Sequence, residues 1–167
     1  TYAQARERAE RLAVGLMRLG VRPLDRVLVQ LPNWPEFASV YFALQKTGAV
    51  PVMLIDRYRQ LEIEQLAELT EAVAWVAPVR HGKVDYLPII REVRRARPAI
   101  ERVVTVRGEV DESGFSSLER LISETEPDEG DKARLAGLRP DPMQVAHMGP
   151  TGGTTGTPKI VPRTHNG

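Results

Sequence analysis

The sequence predicts an α/β fold: a parallel or mostly parallel sheet flanked by helices. Two observations predict it. Short, nearly continuous apolar runs recur at Val27–Leu31, Val50–Ile55, Ala74–Ala77 and Val103–Val106, the pattern of strands buried on both faces. Between them lie longer stretches with apolar residues at helical spacing, so strand and helix alternate along the chain.

The elements follow in order. Thr1-Tyr-Ala-Gln4 reads as a capping box that opens a helix. Ala5, Ala9, Leu12, Leu16 and Leu19 give that helix its apolar stripe, and Gly20 ends it. The strand 27–31 is bounded by Pro23 and Pro32. Asn33 is the expected N-cap of the next helix, with Pro35 in its first turn and Glu36 near the positive end of its dipole. Phe37, Val40, Tyr41 and Leu44 form the expected buried stripe, and Gly48 stops the helix. After strand 50–55 come a helix over Gln60–Leu69, strand 74–77, a helix after Asp85, strand 103–106 and a helix capped by Ser116 with Glu119. The segment from about 124 to 142 is acidic and broken by Pro127 and Gly130, and reads as a solvated connector. Gln144–Met148 reads as a last strand that feeds a run of glycines and threonines.

Composition narrows the function. The 167 residues carry a formal charge of +1, so no global field favours nucleic acid or an anionic membrane. No apolar run approaches the roughly 20 residues needed to span a bilayer. The absence of cysteine excludes disulfides, Cys-ligated zinc and a thiol nucleophile, and fits a cytoplasmic protein. No initiator Met or signal-peptide pattern is present, and both ends read as cut, so the whole of 1–167 is expected to be part of one larger domain.

The most informative chemistry is Thr151-Gly-Gly-Thr-Thr-Gly-Thr-Pro-Lys159. Gly152, Gly153 and Gly156 allow the backbone to bend so that several N–H groups converge. Thr151, Thr154, Thr155 and Thr157 add hydroxyl donors, and Lys159 adds a full positive charge. Donors, a cation and no carboxylate between Met143 and Gly167 suit a polyphosphate. The Walker A pattern is not met, because Gly156 is followed by Thr157 and the lysine waits until position 159. No Rossmann Gly-x-Gly-x-x-Gly follows the first strand. By its glycines alone the stretch equally suits a flexible turn between two strands.

Gly152-Gly-Thr-Thr-Gly-Thr-Pro-Lys159 resembles the phosphate-loop signature of the adenylate-forming superfamily of acyl-CoA synthetases, luciferases and nonribosomal adenylation domains. Ile160-Val-Pro-Arg-Thr-His-Asn166 is similar to the branch of 2,3-dihydroxybenzoate- and salicylate-AMP ligases of siderophore pathways. Leu31-Pro-Asn-Trp-Pro-Glu-Phe37, Phe42–Val52, Arg59 and Glu62-Ile63 also resemble that branch. Pro150-Thr151 departs from the apolar residue and serine usual there, and Leu24 occupies a turn position where relatives often carry glycine, which suggests a different turn.

The resemblance implies part of the N-terminal adenylation domain, with the C-terminal domain absent. It implies an enzyme that joins an aryl carboxylic acid to the α-phosphate of ATP, with Mg²⁺, and passes the acyl group to the thiol of an aryl carrier protein. The alternatives are CoA as acceptor, or a non-catalytic phosphate- or nucleotide-binding module. Lys159 would be catalytic, opposing charge on the pyrophosphate. Thr151, Gly152, Gly153, Thr154, Thr155 and Gly156 would hold the β- and γ-phosphates. The piece alone is expected to be inactive and to self-associate through uncovered apolar surface.

Other candidates have plainer readings. His165 suits a structural hydrogen bond, and His147 on the last strand suits packing. His81 falls in a solvated turn, and three scattered histidines make no metal site. Arg91, Arg94, Arg95 and Arg97 form a basic helix end of the dipole-favoured kind rather than an RNA surface. Trp34, Phe37, Tyr41 and Phe42 are spaced as core.

Overall fold

A computed structural model describes residues 1–151 and 159–166. The chain runs α1 (Tyr2–Arg18), β1 (Arg26–Val29), α2 (Pro35–Thr47), β2 (Val50–Met53), α3 (Gln60–Thr70) and β3 (Ala74–Pro78). It continues through a small hairpin, β4 (Arg80–His81) and β5 (Val84–Asp85), to α4 (Leu87–Ala96), β6 (Arg102–Val106) and β7 (Phe115–Ser117). The last elements are α5 (Leu118–Glu124), α6 (Glu129–Gly137), β8 (Val145–Pro150) and β9 (Ile160–Thr164).

Seven strands form one sheet in the order β7-β6-β3-β1-β2-β8-β9. Every pairing is parallel except β8 with β9, which is antiparallel. The period-two alternation of the strands sorts their side chains into two cores. Val27, Val29, Val76, Val104 and Val106 meet Leu12 and Leu16 of α1, Val40 and Leu44 of α2, and Leu118 of α5. Leu28, Val52, Trp75, Ala77 and Val103 face the other way, toward Ile63 and Leu66 of α3 and Ile90 and Val93 of α4. Helices on both faces explain why the strand sequences are apolar almost throughout.

The Thr1–Gln4 capping box forms as expected. Several local expectations do not hold. The cap of α2 is Trp34, not Asn33, because Pro35 takes the first helical position and forces the residue before it to be extended (φ −97°, ψ 157°). Ser117, not Ser116, caps α5 by accepting the Arg120 N–H: the β7–β6 ladder runs on through Ser116 to Ser117, so the helix starts one residue later than expected. The acidic connector contains a helix. Pro127 precedes the cap of α6 and Gly130 falls in its first turn, while Asp128 and Asp131 form its capping box. Acidic residues there meet the positive end of the helix dipole, and no residue of α6 is buried, so the solvated connector carries a short helix. Arg18 pairs with Asp131 at 2.7 Å and ties α6 to α1.

Phe42 is 56 % exposed and lies outside the core, while Phe37 and Tyr41 are half-buried and stacked on each other. Leu24 does not make a different turn. Its φ is +67°, and the Asp25 N–H donates to the Arg22 carbonyl across Pro23-Leu24. This is the type II pattern, with proline at the second position and a left-handed residue at the third. The turn is the one glycine favours, and here leucine carries it.

Candidate functional site

The β8–β9 hairpin carries the predicted site. β8 runs parallel to β2, so its C-terminal end points to the same sheet edge as those of β1, β2, β3 and β6. Ligands of open parallel sheets bind along this carboxyl edge. The backbone N–H of Thr151 donates to the Lys159 carbonyl at 2.8 Å, one step beyond the Pro150–Ile160 pair. That bond closes the hairpin and brings together the two predicted site residues that flank the glycine-rich stretch. Both are exposed. Lys159 also borders a groove with Arg26, Thr70, Glu71, Met148 and Ile160. Gly152, Gly153, Thr154, Thr155 and Gly156 lie outside the described residues.

The hairpin is anchored by α2. Gln45 Nε2 donates to the Ala146 carbonyl at 2.7 Å, and the Tyr41 hydroxyl lies 3.4 Å from His147 Nδ1. Burial, followed by the charges of Arg163 and His165, lowers the His147 pKa below the ordinary histidine value. His147 therefore packs against Tyr41 as a neutral ring at pH 7, matching its plain reading. His165 is exposed, and its backbone N–H closes the far end of the hairpin onto Gln144. Sequence reasoning did not single out Gln45. The available signal was its spacing of four from Tyr41, which puts both on one helix face.

Other signature residues have structural partners. Arg59 donates to the carbonyls of Asp56 and Tyr58, and Glu62 accepts the Arg59 N–H at 3.0 Å, which starts α3. Buried Gln30 donates to the carbonyls of Ile55 and Tyr58, and Tyr86 donates to that of Asp56. The loop after β2 is thus pinned to the end of β1 and to the start of α4. The arginines of α4 are likewise engaged within the chain. Arg91 pairs with Glu112, Arg95 with Glu92 and Arg97 with Glu68, while Arg94 donates to the carbonyls of Ile100, Glu101 and Ser113.

A second cluster occupies the carboxyl edge between β1 and β3. Trp34 and His81 meet edge to face at 5.2 Å, so His81 lies in a hairpin against an aromatic ring rather than in a free turn. The Arg107 guanidinium sits 3.8 Å from the Trp34 ring centre and forks onto Glu36 at 3.0 and 3.1 Å. Burial alone would raise the Glu36 carboxyl. The Arg107 hydrogen bond, its own backbone N–H and the charges of Arg107 and Arg8 outweigh that and hold it below the ordinary carboxylate value.

Among the described residues no group of three or more His, Cys, Asp or Glu comes together. Those residues offer no protein-only Mg²⁺ cage, and the oxygen donor they place at the base of the hairpin is the Thr151 hydroxyl. No helix among them is long and apolar enough to cross a membrane.

These features define an α/β domain with a mostly parallel sheet, helices on both faces and the β8–β9 hairpin at the carboxyl edge. The chain belongs to the AMP-binding enzyme family, which it matches over residues 1–167. It is 37 % identical over 166 residues to a 2,3-dihydroxybenzoate-AMP ligase of Bacillus subtilis, covering 99 % of this chain and 29 % of that protein. It is also 37 % identical to a salicyl-AMP ligase / salicyl-S-ArCP synthetase of Mycobacterium tuberculosis, covering 99 % of this chain and 28 % of the relative. The Mycobacterium smegmatis MbtA apo structure superimposes with a TM-score of 0.83 at 39 % identity, covering 99 % of this chain and 29 % of that one. The chain therefore spans less than a third of the length of these relatives.

Proposed function

We propose that the protein to which this chain belongs activates an aryl carboxylic acid with ATP, forming an acyl-adenylate and pyrophosphate, and then passes the acyl group to a carrier-protein thiol. The observation that carries the reading is the 37 % identity, along 99 % of the chain, to relatives named as 2,3-dihydroxybenzoate- and salicyl-AMP ligases.

The physical argument is one of alignment and charge. The substrate carboxylate is itself the nucleophile, so the protein need not activate a serine or cysteine. Its task is to hold the α-phosphorus in line with that carboxylate and to oppose charge on the departing pyrophosphate. Lys159 supplies the cation. Thr151 supplies a hydroxyl at the base of the hairpin, and Gly152, Gly153, Thr154, Thr155 and Gly156 supply backbone and hydroxyl donors to the β- and γ-phosphates. Mg²⁺ would be carried chiefly by the phosphates and would neutralise part of their charge.

The test is ATP–pyrophosphate exchange by the intact protein, with aryl and aliphatic acids compared, followed by transfer to a carrier protein or to CoA. Exchange dependent on an aryl acid is expected, with transfer to the carrier. Exchange with aliphatic acids alone would overturn the substrate class, and transfer only to CoA would overturn the acceptor. ATP binding with no acid-dependent exchange would mean a binding module rather than a ligase.

A further inference from the structure

Among the described residues the β8–β9 hairpin has one register pair with the rest of the sheet, Met148 with Val52, against five between β8 and β9. A two-stranded ribbon has little stability of its own. Met148 and Ile160 pack against the core beneath α3 and α4, and a further hold lies on α2. Gln45 Nε2 donates to the carbonyl of buried Ala146 at 2.7 Å, and Tyr41, one turn earlier on the same face, touches His147.

The spacing turns this contact into a lever. Ala146 is two residues before the Met148 bridge, about 7 Å along an extended strand, and Thr151 is three residues beyond it, about 10 Å. A displacement of about 1 Å at Ala146 then becomes about 1.5 Å at Thr151. The Thr151–Lys159 hydrogen bond carries the same displacement to Lys159.

We infer that Gln45, with Tyr41 beside it, is a positioning residue: by holding the Ala146 carbonyl it sets the direction in which β8 presents Thr151 and Lys159 to a bound triphosphate. This rests on the adenylation reading. Gln45 touches no reacting atom, and its effect passes entirely through the strand.

The test uses Gln45→Glu in the intact protein. The change is isosteric, but it replaces the N–H donor with a carboxylate oxygen facing a carbonyl oxygen. Misplacement on this scale lowers the rate of the chemical step by about 10- to 100-fold. The expected result is that loss in kcat for acid-dependent ATP–pyrophosphate exchange, with KM for the acid within about twofold, because a uniform binding loss would instead move KM. Gln45→Lys restores a donor and should recover most of the rate. Amide hydrogen exchange should quicken over 145–151 in Gln45→Glu and stay slow over 27–29 and 74–76.

Unchanged protection over 145–151, or faster exchange there with unchanged kcat, would overturn the inference. If protection is lost in the central strands as well, the fold has failed, and Gln45→Met, of similar length but without the donor, carries the same two readouts. A wild-type protein with no acid-dependent exchange would overturn the adenylation reading. The hydrogen-exchange comparison would then decide separately whether Gln45 holds the strand.

Discussion

Leu24 supplies a prediction in which backbone and side-chain effects can be separated. Its φ of +67° places it in the left-handed region, which costs an L-residue roughly 1–2 kcal/mol. The conformation is held from both sides: the Leu24 N–H donates to the Gly48 carbonyl at 2.7 Å, and its carbonyl accepts from Arg26 Nη1 at 3.0 Å. Leu24→Gly and Leu24→Ala remove the same half-exposed side chain, so lost burial nearly cancels between them. What remains is the left-handed cost, which favours glycine, against the greater freedom of unfolded glycine, about 0.4–1 kcal/mol, which favours alanine. Glycine should therefore be the more stable variant by about 1 kcal/mol, roughly 2–4 °C in Tm for a chain of this size. Urea unfolding of the two variants measures it. Gly137→Ala is the control: at the end of α6, with open space around its Cα, alanine should win by about 0.5–1 kcal/mol. Equal or greater stability of Leu24→Ala over Leu24→Gly would refute the left-handed turn and the reasoning built on it.

Two further predictions concern the carboxyl edge. Lys159→Ala should lower kcat for adenylation by about 10²- to 10³-fold, as loss of one donor to developing charge does. It should change stability by less than about 0.5 kcal/mol, because the side chain is exposed and the carbonyl that receives the Thr151 N–H is retained; steady-state kinetics beside a thermal melt reads both. The Glu36–Arg107 pair predicts a pH dependence. The folded pKa of Glu36 lies below its unfolded value, so its contribution is complete above roughly pH 4.5 and is lost as pH falls through the lower folded value. Arg107→Ala should weaken that acid dependence and cost about 1–2 kcal/mol at pH 7, a figure discounted because Arg107 is 45 % exposed. Acid titration followed by the fluorescence of Trp34, on which Arg107 stacks, measures the change, and an unaltered acid midpoint would refute the pairing. Glu10, held low by Arg6 and Lys46, leaves some acid dependence in the variant.

Much of the architecture was legible because it depends on periodicity, which survives in a single sequence. The runs at 27–31, 50–55, 74–77 and 103–106 became β1, β2, β3 and β6 within a residue or two at each end. The misreadings have a common form. Asn33 and Ser116 were read from residue preference and Leu24 from a resemblance, and each was decided by a neighbour. Pro35 moved one cap and the β6 ladder moved the other. Two hydrogen bonds held Leu24 left-handed. Thr151 and Lys159 were singled out by residue type, but their junction across the hairpin was not visible, because the β8–β9 pairing that joins them leaves no periodic mark in the sequence. Gln45 was invisible for a similar reason. Its partner is a backbone carbonyl 101 residues away, and carbonyls leave no trace in sequence.

The placement of the hairpin also has a physical account. In doubly wound sheets the natural crevice lies where adjacent strands send their connections to opposite faces. Here one such point falls between β1, which continues into α2 on one face, and β3, which leads to α4 on the other. The chain fills it with its own side chains. Trp34 leans on His81, Arg107 covers Trp34, and Glu36 neutralises Arg107. A cation already paired with a carboxylate has little left to offer a phosphate, so this half of the edge suits packing better than anion binding. Two strands away, beyond β2, the hairpin presents Lys159 exposed, within a stretch from Met143 to Gly167 that contains no carboxylate. The crevice between β1 and β3 is closed by a satisfied charge pair, whereas the hairpin leaves Lys159 and Thr151 exposed, which supports the proposal that the phosphates bind there. Under that proposal Gln45 matters because the hairpin, paired with β2 at one register position among the described residues, gains a further hold from α2.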